Sequence, residues 1–283
     1  MAAKEIKGIF SPRNERFPGL PGSSAGFFKD AFSLRTILLL GATAQAGLTL
    51  VLPPRYALFP TAFLLLHTIA STVHSVASPS LRDIIPGRTS IFLPPPTSSP
   101  SPYPPSESEK QGLVTLHLGV RFSHPLGLFA PGVREIGDLF SACNNAVLES
   151  AGPYGCIGYT LWRGITDDTN NTVLGVYYFK TVEGLHRFAH DDVHRKAWEW
   201  YERECAGVVG KDGKGGKRYI GVYHETLEVE KGGWEAIYVN MPPTLLGATK
   251  GKEEEVWVSP LVEAKGKMFK GQYDRMGRAG GKE

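Results

Sequence analysis

Two uncharged apolar stretches near the N-terminus constrain this chain more than any other feature of its sequence. The first covers residues 36–52 and the second covers residues 56–73, and only Gln45 and His67 within them are strongly polar. As helices they would each span about 26 Å, close to the hydrocarbon thickness of about 27 Å of an endoplasmic-reticulum bilayer. The pattern predicts one or two membrane helices over 36–73.

The residues before these stretches favour one orientation. Residues 1–35 form a basic N-terminal segment with six cations and lack the apolar core of a signal peptide. Because Lys and Arg are enriched on the cytoplasmic side, we expect a cytosolic N-terminus, and a two-span hairpin in the endoplasmic-reticulum membrane would return the chain to the cytosol. Two alternatives stay open: helices buried in or lying on a soluble protein, and a monotopic hairpin, since Pro60 weakens the second stretch.

The charge balance and the cysteines argue against several functional classes. The 31 Lys and Arg residues against 28 Asp and Glu residues give a net charge of +3, too balanced for the basic stripe of a nucleic-acid-binding protein. The three cysteines include no CxxC pair, so neither a disulfide framework nor a zinc site is indicated. Walker, GxGxxG and GxSxG motifs are missing as well. We expect no metal site and no nucleic-acid partner.

Two segments look unable to build a core. Eight prolines interleaved with serines lie between residues 86 and 105, and this composition predicts an extended linker over 86–111. A proline-rich recognition ligand is the alternative. Residues 250–283 are rich in Lys, Arg and Gly and predict a basic flexible tail that could touch anionic lipid.

The segment between them, residues 112–249, alternates between strand and helix periodicities. Strands are indicated at 113–122, 155–164, 172–181, 218–229 and 234–240, and helices at 134–149 and from the N-cap Thr181 to about Cys205. The order predicts an α+β fold of the ferredoxin-like βαββαβ type. Both helices would cover one face of an antiparallel sheet, and the other face would be free to pair with a second copy.

Five blocks of this segment carry a family resemblance. They are HPLG at 124–127, PG at 131–132, GYTLWRG at 158–164, YYFKTVEGLHRFAHDDVHRKAWEWY at 177–201 and YHETLEVEKGGWEAIYVNMPPTLLGAT at 223–249. They resemble the fungal monooxygenase-like family typified by the fumagillin-pathway polyketide monooxygenase, which belongs with the antibiotic-biosynthesis monooxygenases of the dimeric α+β barrel superfamily. The resemblance covers residues 112–249.

This resemblance implies an enzyme of fungal secondary metabolism that oxidises a hydrophobic, polyketide-like substrate. It implies a homodimer with a cavity between sheet and helices, and oxidation without a cofactor, with haem as the alternative. Because one scaffold hosts many chemistries, a cyclase, isomerase or dehydratase stays open, as does a non-catalytic membrane scaffold.

Histidine is the natural base for such a reaction near neutral pH. His186, His190 and His194 are spaced by four along the second predicted helix. Helical phase places His186 at the border of the apolar sector, His190 on its flank and His194 pointing away. His224 lies among aliphatic residues on a predicted strand. We predict His190 and His224 as the catalytic candidates, whereas polar or core histidines, or a haem or metal pair, are the alternatives.

The same reasoning predicts a set of substrate-binding side chains. Arg163 could bind a carboxylate or oxyanion, and His186 could face the cavity. The aromatic side chains are typical of a site for hydrophobic substrates and comprise Trp162, Tyr178 and Trp200. A solvated arginine and aromatic residues of a core or dimer interface are the structural alternatives.

Overall fold

The computed structural model describes residues 4–15, 29, 31–78, 84–95, 101–103, 112–149, 151–164, 171–206, 216–253 and 255–276. The N-terminal elements are β1 (Lys4–Ile6), α1 (Leu34–Val51), α2 (Pro54–Ala57), α3 (Phe59–Ala77), β2 (Ile85–Ile91) and β3 (Ser101–Tyr103). The central elements are β4 (Leu113–Phe122), α4 (Val133–Glu149), α5 (Ala151–Tyr154), β5 (Cys156–Gly164), β6 (Thr172–Phe179), α6 (Val182–Ala189), α7 (Asp192–Tyr201) and β7 (Ile220–Val229). The C-terminal elements are β8 (Tyr238–Met241), β9 (Gly251–Glu253), β10 (Val256–Val258), β11 (Leu261–Glu263) and α8 (Gln272–Arg275).

Strands β4 to β7 form one antiparallel sheet in the order β5-β6-β4-β7. The strand with the clearest alternation, β4, is central and pairs with β6 on one side and with β7 on the other. Helix α4 connects β4 to β5, and α6 with α7 connects β6 to β7. This is the ferredoxin-like arrangement, so the predicted α+β fold is confirmed.

The helices cover one face of this sheet. The core between the two layers consists of aliphatic and aromatic side chains from both of them: Val114, Val147, Leu148, Tyr177, Phe179, Leu185 and Phe188. Burial of a side chain of this size contributes about 1.5–3 kcal/mol. This packing fixes α4 and α6 over the middle of the sheet.

The second predicted helix is broken after its first eight residues. Thr181 is the N-cap, as predicted, and accepts a hydrogen bond from the backbone N–H of Gly184 (3.1 Å). A second N-cap follows, because the carboxylate of Asp191 accepts a hydrogen bond from the N–H of Val193 (2.9 Å) and begins α7. The prediction of one continuous helix to Cys205 is therefore wrong.

A second, smaller sheet covers one end of the opposite face of the first. It has three antiparallel strands in the order β11-β2-β8. The core between the two sheets contains Leu113, Ile157, Val176 and Tyr178 from the large sheet and Ile91, Leu93, Leu246 and Leu261 from the C-terminal region and the segment around β2. The large sheet therefore has a partly covered second face.

The small sheet corrects two predictions. Residues 86–95 of the predicted linker 86–111 are part of the fold, because β2 pairs with two strands and Ile91 and Leu93 are buried. Residues 251–253 and 255–276 of the predicted tail are not flexible, because β11 pairs with β2 and its residue Val262 is fully buried. The sequence pattern does not indicate either feature. Prolines mask the strand character of β2, and the C-terminal strands have three residues each, which is too short to show a periodicity. Within the predicted linker, residues 101–103 form β3 and pair with β1, whereas residues 96–100, 104–111, 254 and 277–283 of the two predicted segments lie outside the described residues.

The N-terminal residues 4–15 belong to the same folded unit. Strand β1 pairs with β3, the N–H of Ile9 donates to the carbonyl of Leu261 (2.9 Å), and the backbones of Arg13 and Trp257 exchange hydrogen bonds of 3.1 and 2.7 Å. The basic N-terminal segment is therefore part of the domain rather than a separate arm over these residues.

The predicted apolar hairpin projects from this unit. Ala57 is its only buried residue, and two helical segments, Leu34–Val51 and Pro54–Ala77, have the length and composition of membrane spans. Gln45 connects them, because its amide donates to the carbonyl of Ala57 (3.0 Å) and accepts from the hydroxyl of Thr61 (2.7 Å).

Candidate functional site

On the helix-covered face of the large sheet, the helices leave most of the edge strand β7 uncovered, and we call the strip between β7 and helix α7 the groove. Helix α7 packs against α4 and leaves the helix-facing side chains of His224 and Thr226 exposed. Leu116 and Leu118 of β4 face the same side and are half-buried. The groove thus has an apolar floor and a polar rim.

His194 lies at this rim and is half-buried. Its ring contacts Phe188 edge-on (5.6 Å between centroids), and it is close enough to His190 and His224 for their charges to act on it. The prediction that His194 points away from the sheet is therefore wrong. The break before α7 resets the helical phase on which that prediction depended.

The environment of His194 fixes its protonation state. Nδ1 lies 2.9 Å from the carbonyl oxygen of Ala189, and because a carbonyl only accepts, the neutral ring carries its proton on Nδ1 and its lone pair on Nε2. Burial is the largest cause that lowers the pKa of His194 below 6.5, and the nearby histidines add to it. The ring is therefore neutral at pH 7, with Nε2 as a proton acceptor.

The two predicted catalytic histidines are more exposed. His190 is the C-cap residue of α6, and His224 lies on β7 directly opposite Leu118. Glu225, the next residue on β7, lies on the other face of the sheet and pairs with His117 (3.7 Å). Both histidines border the groove beside His194, and their catalytic role stays a prediction.

A buried polar pair lies deeper on the same face. The hydroxyl of Tyr177 donates to Oδ1 of Asn144 (2.5 Å), burial raises the pKa of Tyr177, and Tyr159 stacks on the Tyr177 ring (5.0 Å). Sequence reasoning missed this pair. The available signal was Asn144, a polar residue within the apolar stripe of α4.

The predicted binding residues separate into different places. Trp162 and Tyr178 lie on the opposite face of the sheet from His224. Trp162 pairs with Leu174 and Tyr178 pairs with Thr115, and both pairs face away from the side on which Leu118 and His224 lie. The structure therefore does not bring these two predicted substrate-binding residues together with His224.

The other three predicted binding residues also differ in position. Trp200 packs at the far end of the sheet with Phe122 and Ile220, and His186 is exposed on α6. Arg163 faces the helices from β5, but two strands separate β5 from β7. Among the five predicted substrate-binding residues, Arg163 is the one strand residue whose side chain lies on the same face of the large sheet as His224.

The thiols of Cys143 and Cys156 are unreactive because their pKa values are raised. Burial, and to a lesser degree Asp191, raises the pKa of Cys143 to about 11, and burial raises the pKa of Cys156 to about 12. Within the described part of the chain, no group of three or more His, Cys, Asp or Glu side chains is arranged to hold a metal ion. The ionisable chemistry of the groove therefore centres on histidine.

The sequence comparisons agree with this fold. The family described as Monooxygenase af470-like matches residues 113–246. The chain is 34% identical to Monooxygenase af470 of Aspergillus fumigatus over 286 residues, which cover 97% of this chain and 98% of that protein. The similarity therefore includes the hairpin and both terminal segments of the folded unit.

Solved structures show more distant similarity. One, from Caulobacter crescentus CB15 and described as an antibiotic biosynthesis monooxygenase, is 16% identical and covers 43% of this chain and 92% of its own, with a TM-score of 0.30. Another, an aldoxime dehydratase in complex with butyraldoxime, is 16% identical and covers 56% of this chain and 38% of its own, with a TM-score of 0.37.

Proposed function

Because the chain belongs to the af470-like monooxygenase family, we propose that it oxygenates a hydrophobic, enolisable, polyketide-like substrate in the groove between β7 and α7, without a cofactor. One observation carries this proposal. His194 presents a neutral imidazole with Nε2 as acceptor at the rim of an apolar groove, and an enolisable substrate needs such a base.

The first chemical step is removal of a proton from an activated methylene. His194 takes this proton on Nε2, and His190 and His224 stand beside it as alternative bases or as partners in proton transfer. Apolar side chains of Leu116 and Leu118 exclude water from the carbanion. The Tyr177 hydroxyl fixes the amide oxygen of Asn144, so the amide nitrogen is the donor suited to the developing enolate oxygen.

The oxygenation balances without an external reductant. The carbanion and dioxygen form a C–O bond, and the His194 imidazolium returns its proton to the terminal oxygen, which yields a hydroperoxide at the former methylene. Loss of the remaining methylene proton and cleavage of the O–O bond leave a carbonyl and release water. The methylene carbon is oxidised, dioxygen is reduced, and one oxygen atom enters the product.

Labelled dioxygen tests this function. The substrate is the intermediate that accumulates when the gene is deleted in its host. Incubation of purified protein with this intermediate and ¹⁸O₂ should add one labelled oxygen to the product and one to water. Turnover under nitrogen would instead identify a cyclase, isomerase or dehydratase, and a Soret band in the purified active protein would replace the cofactor-free chemistry with haem chemistry.

We further propose that the hairpin anchors the enzyme in a membrane, with the endoplasmic reticulum as the expected site and the domain in the cytosol. The pairing of residues 4–15 with the C-terminal strands supports an even number of crossings, because the chain before α1 and the chain after α3 enter one folded unit. The exposure of the apolar side chains of both helices supports lipid as their surroundings.

We also propose a homodimer. The second face of the large sheet is covered only at one end, and toward β7 it presents Tyr223 and Leu227, which are 44% and 52% exposed. A second copy is the partner that this face fits, since two such faces are self-complementary.

A further inference from the structure

The loop after β4 exposes two large apolar side chains. Residues 124–131 (HPLGLFAP) include Leu126, which is 52% exposed, and Phe129, which is 61% exposed. Hydrogen bonds brace this loop: the N–H of Leu126 donates to Nδ1 of His124 (3.0 Å), and the N–H of Phe129 donates to the carbonyl of Leu126 (3.0 Å). Tyr219 packs on the His124 ring (4.7 Å). The loop therefore presents both side chains from a fixed backbone.

This loop packs on the chain that leads into the hairpin. The ring of Phe32 stacks on Phe129 (5.8 Å between centroids). Gly127 has a φ of +52°, and a Cβ there would approach the carbonyl oxygen of buried Ala31 to 2.8 Å, so the two backbones touch. Helix α1 begins at Leu34. Leu126 and Phe129 thus lie at the base of the two apolar helices.

Basic side chains accompany this apolar patch. Arg35 is exposed in the first turn of α1, and Arg218 is exposed next to Tyr219. Arg134 is exposed at the start of α4, where it also pairs with Asp138 (3.9 Å). Apolar side chains that project from a basic surface are typical of proteins that insert into the interfacial layer of a membrane. The position of the patch at the hairpin base indicates the same partner.

We propose that Leu126 and Phe129 insert into the interfacial layer of the bilayer that the hairpin enters. This inference rests on the membrane anchoring proposed above. The hairpin alone tethers the domain, whereas a second contact fixes its orientation. Interfacial side chains of this kind reach about 5–10 Å into the headgroup and acyl boundary.

This orientation places the groove near the bilayer. Phe122 ends β4 beside the loop, and His224 lies opposite Leu118, four residues earlier on the same strand. At about 3.4 Å per residue, His224 lies about 14 Å along the sheet from the Phe122 end of β4, where the loop begins. A hydrophobic substrate dissolved in the bilayer then has a short path to the groove.

Depth-dependent fluorescence quenching tests the contact on the full chain. The chain is reconstituted in nanodiscs of phosphatidylcholine with phosphatidylserine, and an NBD fluorophore is attached to Phe129→Cys. Leu66→Cys, in the middle of α3, reports the hairpin, and Trp198→Cys, an exposed aromatic on α7, is the matched control. The unsubstituted chain gives the background from the three native cysteines.

We expect shallow doxyl lipids to quench the NBD fluorescence at Phe129→Cys more strongly than deep doxyl lipids do, as for a probe about 5–10 Å below the surface, and to leave Trp198→Cys unchanged. Quenching at Leu66→Cys without quenching at Phe129→Cys would overturn the loop contact and leave the anchor intact. Absence of quenching at both positions would overturn the anchor itself, and with it this inference. A blue shift at Phe129→Cys that doxyl lipids do not quench would assign the patch to a second copy instead.

Discussion

The hydroxyl of Tyr154 donates a hydrogen bond of 2.6 Å to the carboxylate of Asp191. Asp191 also caps α7 through the N–H of Val193, and its charge acts on His194. Both hydrogen bonds lower the pKa of Asp191, and the bond from Tyr154 has the larger effect. The pair therefore connects α5 to the start of α7, the helix that carries the proposed base.

Tyr154→Phe should make the protein more sensitive to acid. Because the folded-state pKa of Asp191 is lowered from 3.8, its ionisation stabilises the fold above that value, and this contribution is lost as pH falls through the folded pKa. Without the tyrosine hydroxyl, the pKa of Asp191 rises and unfolding begins at higher pH. Circular dichroism during acid titration measures the midpoint, and Tyr273→Phe, at an exposed tyrosine, is the control. Superimposable titrations of Tyr154→Phe and the parent would contradict this prediction.

Leu261→Ala should destabilise the whole domain. Leu261 is buried between the two sheets, and truncation of a buried leucine costs about 2–5 kcal/mol. Leu161→Ala, at an exposed position on β5, is the matched control and should cost much less. Denaturant unfolding followed by tryptophan fluorescence gives both values. Equal stability of the two variants would mean that the small sheet does not pack on the large one.

The sequence predicts the elements of the large sheet better than it predicts their neighbours. Residues 113–122 alternate over ten positions, and the strand occupies all of them. Strand β11 has three residues, too few for a period, and β2 begins beside a proline. Such strands are defined by partners distant in sequence, which no local pattern contains.

The site was harder to predict because it depends on register and on one helix break. Whether Trp162 or Tyr159 faces His224 depends on which residues pair across three strands, and a shift of one residue exchanges the faces. His194 was misplaced because Asp191 begins a new helix. Asn144 could have been predicted as a buried polar residue, since it lies four residues from both Phe140 and Leu148 on one helical stripe.

Gln45→Leu should loosen the hairpin. The Gln45 amide makes hydrogen bonds to Ala57 and Thr61 of the following helical segments, and hydrogen bonds between membrane helices contribute about 0.6 kcal/mol, up to about 1.7 kcal/mol. Thr68→Val is the control, because Thr68 bonds only within its own helix, to Leu64. We expect faster proteolysis of the hairpin in detergent for Gln45→Leu. Equal rates for the two variants would contradict an interhelical role.

Leu227→Asp should weaken the proposed dimer. Leu227 is exposed on the second face of the sheet, near Tyr223, whose ring covers Gly119 so closely that a Cβ there would meet it at 2.1 Å. A buried carboxylate without a partner opposes association. Light scattering of the full chain in detergent should report a smaller mass for Leu227→Asp, and Leu161→Asp, on the other face, should leave the mass unchanged. A monomeric parent protein would refute the dimer.

The histidines of the groove give the most direct test of the chemistry. If Nε2 of His194 removes the substrate proton, His194→Gln should lower turnover by about 10²-fold or more, and His190→Gln and His224→Gln should have smaller effects. The pH profile distinguishes a base from a structural imidazole. Because burial lowers the pKa of His194 below 6.5, the neutral base persists into mildly acidic solution.

The acidic limb of kcat/KM in the parent enzyme should therefore lie below pH 6.5 and disappear in His194→Gln. The free energy of unfolding should also depend on this histidine. His194 binds a proton more tightly in the unfolded chain than in the folded one, so the fold loses stability as pH falls below 6.5. His186→Gln, at an exposed position on α6, is the matched control for a histidine outside the groove. If His194→Gln keeps full activity and the acidic limb follows His190 or His224 instead, the base is one of those two residues, and the role of His194 is limited to packing against Phe188.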